Sequence, residues 1–459
     1  MTQAEQLARF VVGASYSDLS EHARDQLKLR ILDSLACAIG ALEGEPVRIL
    51  RTHLEELDGA GHSALIGAGR TSPDRAALYN GTLVRYLDFN DSFIAPKETC
   101  HPSDNLAAIL AASEYRGGSG RDVLVALAVA YQVQCRLSEV APVRARGFDH
   151  VTQLAYSVAA GVSKALGLDV EHATNAVAIS GTAFNALRVT RTGALSHWKG
   201  LAAPNAAWGA THSAFLAMRG ITGPPGVFEG NKGFMDSIAG RFDIDWSKED
   251  LERVTRTSIK KYNAEFHSQS TIEAALSLKR DEGVRPEDIE AVDIETFDVA
   301  FHIIGGGEEG GKHVVETKEE ADHSLPYMVA VALLDDEVMP AQYKPSRIRA
   351  PDVQDLLSRV NVRPKDEYSR RFPEEMPSRV TLRLRDGREL SREQRDYEGF
   401  YTRPMSWEVV REKMRRLAGP YASENVQDEI AEVVFDLERA STSQLMRHLR
   451  RVEVPRHRS

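Results

Sequence analysis

Aspartate, histidine and basic side chains gather in four short stretches of this chain, where they could hold carboxylates and move a proton from carbon. The first stretch runs Tyr86-Leu-Asp-Phe-Asn-Asp-Ser-Phe93, then Cys100-His-Pro-Ser-Asp-Asn105. Asp88, Asp91 and Ser92 are three and four apart, so a helix there would set them on one face. His101 precedes Pro102-Ser103, a helix-start signature leading into Leu106 to Ala112, where outward amides favour an anion. The same residues also read as solvated or capping aspartates beside a loop histidine. In the second stretch, Gly147-Phe-Asp-His150, the histidine sits just ahead of a helix and by itself reads as structural.

The third stretch places Arg188, Arg191, His197 and Lys199 in a region otherwise short of charge, which fits either an anion site or plain surface exposure. The fourth, Lys260-Lys-Tyr-Asn-Ala-Glu-Phe-His267, brings lysines, a carboxylate and an imidazole to a change of texture, and domain junctions favour ligands. Gly305 to Gly311 matches neither a dinucleotide nor a Walker loop and reads as a flexible loop. There is no Gly-x-Ser-x-Gly elbow and no His-Glu-x-x-His. A site of Asp, His, Lys and Arg without metal motif, nucleotide loop or thiol nucleophile suits a small polycarboxylate substrate.

The elements that must position these groups come in two textures. From Thr2 to about Phe266 the chain reads helix after helix: Leu27, Ile31, Leu35 and Ile39 recur behind a Ser20 cap, and Val123 to Leu137 is apolar nearly all round. Ala155 to Leu166 stops at Gly167, and Asp169 caps the next helix. After a helix at Thr271 to Lys279, Ile289 to Phe297 reads as a strand with Val292, Ile294 and Thr296 on one side. Ser324 and Pro326 open a helix over Tyr327 to Leu334, and Asp386-Gly387 signals a hairpin between Val380–Leu384 and Glu389–Leu390. Helices return from Ser406. The expectation is mainly α with a smaller α+β domain: an all-helical domain from residues 1–268 and 404–459, and an α+β lid from 269–403.

Composition narrows the partners and the compartment. The chain has 459 residues, 57 Lys+Arg against 67 Asp+Glu, and a net charge of −10, with 42% hydrophobic and 27% charged residues. That is a soluble globular profile with two to four domains. Net acidity sets nucleic acid aside, and the basic tail (Arg447, Arg450, Arg451, Arg456, Arg458) reads as a solvated terminus. Val123 to Val133 falls short of the roughly 20 residues of a membrane span, and Met1 to Phe10 is no signal peptide. Cys37, Cys100 and Cys135 lack metal-site spacing. The expectation is a cytoplasmic protein without metal. Binding a trianion then needs local positive charge, for which Arg188, Arg191, Lys199, Lys260 and Lys261 are the candidates.

Five motifs in order resemble the MmgE/PrpD superfamily: Leu87-Asp-Phe-Asn-Asp-Ser92, His101-Pro-Ser103, Ser196-His-Trp-Lys199, Lys260 to Gln269, and Asp322-His-Ser-Leu-Pro-Tyr327. The resemblance implies a helical domain built from both chain ends, an α+β lid, homodimers, and chemistry without metal or organic cofactor. It implies catalytic roles for Asp88, His101, His150, Lys199 and Lys260. Asp91, Ser92, Arg188, Glu265 and His267 are the accompanying substrate-binding candidates. The family includes 2-methylcitrate dehydratase, cis-aconitate decarboxylase and an amino-dicarboxylate epimerase. Glu265 stands where the decarboxylase has histidine, and Ser92 replaces the threonine usual at its place; the runs Asn263 to Gln269, Leu87-Asp-Phe-Asn-Asp91 and Phe148-Asp-His-Val151 look more like the dehydratase branch. A hydro-lyase of propionate breakdown is therefore expected, ahead of a decarboxylase, an epimerase, or a non-catalytic helical assembly protein.

Overall fold

The computed structural model describes residues 1–57, 61–192, 195–308 and 310–454. Glu309 of the expected glycine loop, and Arg456 and Arg458 of the basic tail, lie outside the described residues. The protein divides into two units. The first comprises Met1–Arg191, His197–Thr257 and Ser406–Ser459; the second comprises Thr192–Ser196 and Ser258–Met405.

The first unit carries α1 (Gln3–Gly13), α2 (Glu21–Gly40), α3 (Glu45–Leu57), α4 (Pro73–Tyr86), α5 (Leu106–Arg116), α6 (Gly120–Val140), α7 (Val151–Leu166), α8 (Val170–Ala183) and α9 (Trp198–Ala217). Local chemistry sets their ends. Ser20 Oγ accepts the Ala23 N–H ahead of α2, and Asp169 Oδ1 accepts the His172 N–H ahead of α8. Between them Gly167 closes α7 at φ +65°. α7 lies against α5, α6, α8 and α9, and nearly all its side chains are buried. Small residues allow that approach: a Cβ on Gly161 would come within 2.9 Å of Ile109 Cδ1.

Two expectations need correction here. α6 has 21 residues and is long and apolar enough to cross a membrane by length and composition, because the helix runs on through Tyr131 and Gln132. Yet 83% of its apolar window is buried inside the protein, as in a core helix. Nor is the unit all-helical. Ser63–Ala64 (β1) pairs with Arg70–Thr71 (β2), and Phe93–Ala95 (β3) pairs antiparallel with Glu98–Cys100 (β4). Strands of two or three residues are too short to show an alternating pattern.

Both chain ends build this unit. From the helix Trp407–Ala418, Lys413 Nζ lies 2.6 Å from Asp33 Oδ1 of α2, and both side chains are buried. The same ammonium donates to the Phe89 carbonyl at 2.9 Å and lies 3.6 Å from that ring's centroid. It thus pins the loop that follows α4.

In the second unit a four-stranded sheet has the order β6–β5–β7–β8, with β5 at Ile289–Thr296, β6 at Val360–Pro364, β7 at Ser378–Leu384 and β8 at Glu389–Gln394. β6 runs parallel to β5, and the other pairs are antiparallel. Ile289, Val292, Ile294, Val380 and Leu382 are buried in one core with residues of α10 (Gln269–Glu282) and the helix Leu325–Asp335. The turn at Asp386-Gly387 has Gly387 at φ +87°. The unit starts at Ser258, ahead of the 268/269 boundary expected above. Backbone bonds explain the shift: the N–H groups of Ile259, Asn263 and Glu265 donate to the carbonyls of Gly399, Val338 and Asp322.

Candidate active site

The first cluster is organised by the loop between α4 and α5. α4 ends at Tyr86, so Asp88, Asp91 and Ser92 share no helix face, contrary to the spacing argument. Asp88 instead takes φ +53°, a left-handed backbone that costs energy for a residue with a Cβ. Arg85 Nη1 holds it, donating to Asp88 Oδ1 at 2.6 Å. The β3–β4 hairpin then folds the chain back. Phe93 pairs with Cys100, so the next residues outward, Ser92 and His101, are brought side by side.

His101 has a determined tautomer. Its Nδ1 lies 2.8 Å from the Asp91 carbonyl, which can only accept, so Nδ1 carries the proton and Nε2 is the basic nitrogen. Ser92 Oγ is 3.1 Å from the same Nδ1. Ser92 is thus placed to orient an imidazole, a role its expected substrate contact did not include. Asp91 is likewise a brace: it is fully buried, its Oδ1 accepts the Ser103 N–H and its Oδ2 accepts the Tyr131 hydroxyl. Both oxygens are engaged within the protein, which gives Asp91 a bracing role.

His150 immediately precedes α7, and its ring meets that of His101 edge to face at 5.4 Å. Burial pushes the His150 imidazole down to about 3, further than the adjacent Asp149 carboxylate raises it, so the ring is neutral at physiological pH. Asp149 Oδ1 lies 3.1 Å from His150 Nδ1 and accepts the Val151 N–H, while Asp149 Oδ2 accepts Arg191 Nε at 2.8 Å. Lys199 stands in the first turn of α9, with Nζ 3.7 Å from Asp88 Oδ2. An ammonium beside a helix N-terminus gives two reasons for an anion to bind there. Asp88, His101, His150 and Lys199 are each between 6 and 8% exposed, so this cluster is enclosed.

Charge in the cluster is biased by burial. Asp104, 3.8 Å from Arg85, is pushed up to about 7 by burial, so at neutral pH it carries only part of a negative charge beside Arg85 and Arg191. Burial also raises the carboxyl of Glu98, which accepts the N–H groups of Val143 and Arg144. Arg188 is half-buried, and its charge acts on both Glu98 and His150.

A second cluster stands in the second unit. Lys260 is buried, and Glu265 accepts both the N–H and the Nδ1–H of His267. The His267 ring is packed among Phe266, Phe297 and Phe372. Burial pushes the Glu265 carboxyl up, but His267, His323 and Lys260 outweigh it and hold the group at about 2. A depressed carboxylate contributes stability that is full above its unfolded value, 4.5, and is lost as pH falls from there toward 2. Glu265→Gln should therefore flatten the acid limb of a urea-unfolding series across that window and cost on the order of 3 kcal/mol at pH 7. Lys261, expected among the anion-binding cations, is paired with Glu398 at 2.8 Å and Glu273 at 3.5 Å. Among the described residues, no three His, Cys, Asp or Glu side chains converge as metal ligands.

Comparison with known proteins places this architecture. Residues 5–247 match the MmgE/PrpD N-terminal domain and residues 262–439 the MmgE/PrpD C-terminal domain. The chain belongs to the MmgE/PrpD family. It is 29% identical over 401 residues to the 2-methylcitrate dehydratase of Escherichia coli K12, covering 81% of each chain. It is 30% identical over 354 residues to the Salmonella typhimurium 2-methylcitrate dehydratase, covering 72% of this chain and 71% of that one. A probable 2-methylcitrate dehydratase of Saccharomyces cerevisiae is 29% identical over 369 residues, covering 74% and 70%.

Within this MmgE/PrpD protein the structure brings Asp88, Ser92, His101, His150 and Lys199 into one unit, and Lys260, Glu265 and His267 into the other. Sequence reasoning passed over Arg85, Asp104 and Asp149 and counted Arg191 only as local charge. Arg85 lies inside an otherwise ordinary amphipathic helix, so nothing in its spacing marked it. Asp149 could have been noticed: it directly precedes a histidine at a helix start, where a capping carboxylate is expected.

Proposed function

We propose that this protein is a hydro-lyase that removes water from 2-methylcitrate, or a close tricarboxylic hydroxy acid, to form 2-methyl-cis-aconitate. The observation that carries the reading is the enclosed grouping of tautomer-fixed His101 with the Lys199–Asp88 pair, in a chain related to proteins named 2-methylcitrate dehydratase. Lys199 draws in a substrate carboxylate and offsets charge as the proton α to it leaves. His101 Nε2 takes that proton, and the imidazolium so formed returns it to the departing hydroxide, which leaves as water. Side chains suffice for these steps, without metal or organic cofactor. The reading extends to a cytoplasmic homodimer acting in propionate breakdown.

Incubation with 2-methylcitrate, citrate and cis-aconitate, followed by ultraviolet absorbance and product analysis, tests this. The expected result is a rising conjugated-alkene absorbance with 2-methylcitrate that survives chelator treatment. Carbon dioxide release from cis-aconitate would make the protein a decarboxylase, and a change in optical rotation alone an epimerase. Loss of activity on chelation overturns the cofactor-free mechanism.

A further inference from the structure

Beneath the His150 and Lys199 side chains lies a buried linkage. Arg191 Nε donates to Asp149 Oδ2 at 2.8 Å, and its Nη1 donates to the Lys199 carbonyl at 3.0 Å. Asp149 turns its other oxygen to His150 Nδ1 and to the Val151 N–H, each at 3.1 Å. Backbone bonds hold the segments together, with the Asp149 N–H donating to the Ala186 carbonyl and the Arg188 N–H to that of Gly147. One guanidinium thus ties the start of α9, which carries Lys199, to the start of α7, which carries His150.

We propose that Asp149 and Arg191 are positioning residues that set the tautomer of His150 and the placement of Lys199 without touching substrate. This inference rests on the function proposed above. A carboxylate facing Nδ1 favours the proton there and leaves the lone pair on Nε2. His150 Nε2 and Arg191 Nη2 are both buried without a hydrogen-bond partner among the described residues. The open His150 Nε2 is the atom at which a reacting partner would engage the ring, while Arg191 works through Asp149 and the Lys199 carbonyl. Asparagine at 149 would give its oxygen to the stronger donor, Arg191, and turn its NH2 toward Nδ1, which forces the proton onto Nε2.

The test is a double-mutant cycle on steady-state turnover. Asp149→Asn is expected to lower kcat at least about tenfold with KM within about threefold. On a His150→Ala background the same substitution should change kcat by less than about threefold, because the imidazole it acts through is gone. A full and additive loss on that background would show that Asp149 is merely structural and overturn the proposal. Arg191→Lys keeps the charge but cannot make both bonds, so kcat and KM should both worsen; an unchanged kcat and KM refutes the role of Arg191. Imidazole nitrogen NMR separates this inference from the function it rests on. If the wild-type protein turns over none of the three acids, the proposed function fails, while the His150 tautomer, assigned by its loss in His150→Ala, remains readable. It should switch in Asp149→Asn, and an unswitched ring sinks the proposal.

Discussion

Replacing His101 with alanine should slow dehydration of 2-methylcitrate by about 10²–10⁴-fold while cooperative unfolding persists. The size follows from placement. The Nδ1 proton is committed to the Asp91 carbonyl, so Nε2 is the ring's one basic nitrogen, and the ring is enclosed with His150 and the Lys199–Asp88 pair. Asp91 is engaged through both oxygens and the Ser92 hydroxyl is too weak a base to take over, so any residual rate falls to the neighbouring His150 imidazole. Lys199→Ala acts on the same reaction through charge. It removes the ammonium that faces the incoming carboxylate and should raise KM as well as lower kcat, because it holds both the substrate and the charge that develops in the transition state. Steady-state kinetics on the purified variants decide the matter. Near-normal rates in both would mean that this cluster is not where the chemistry occurs.

Arg85→Met is expected to be the most damaging single change to stability, at about 3–5 kcal/mol by urea unfolding. Burial alone would lower the Arg85 pKa, but the Asp88 and Asp104 carboxylates raise it above its ordinary value, so the guanidinium stays charged. Removing it takes away the buried cation that Asp88 and Asp104 share, leaving Lys199 at 3.7 Å from Asp88, and frees the left-handed backbone at Asp88. Adding Asp104→Asn should recover part of the loss, since one of the two carboxyls that shared the guanidinium is then neutral. A loss under about 1 kcal/mol for Arg85→Met would show that the ion pair is not what holds the loop.

Much of the architecture was legible in the residues themselves. Helix periodicity behind Ser20, the Gly167 stop followed by the Asp169 cap, the one-sided strand at Ile289 and the Asp386-Gly387 turn are local signals, and the structure has each of these elements. The short β3–β4 hairpin and the edge strand β6 were not legible. The hairpin is too brief for a period, and β6 is largely exposed, so neither wrote an alternating apolar pattern into the sequence.

The candidate site divides along the same line. The candidate residue types, and their suitability for an anionic substrate, come from Asp88, His101, His150 and Lys199 in their motifs, because chemistry depends on side-chain identity. How they are arranged could not. The chain leaves its helix after Tyr86, a hairpin sets Ser92 against His101, and Arg191 joins segments 42 residues apart at Asp149. These contacts depend on desolvation and long-range packing, to which a local pattern is blind. Burial then decides the roles: it engages Asp91 as a brace, keeps His150 neutral and lifts Asp104 to about 7, from types that the sequence presents as interchangeable acids and bases.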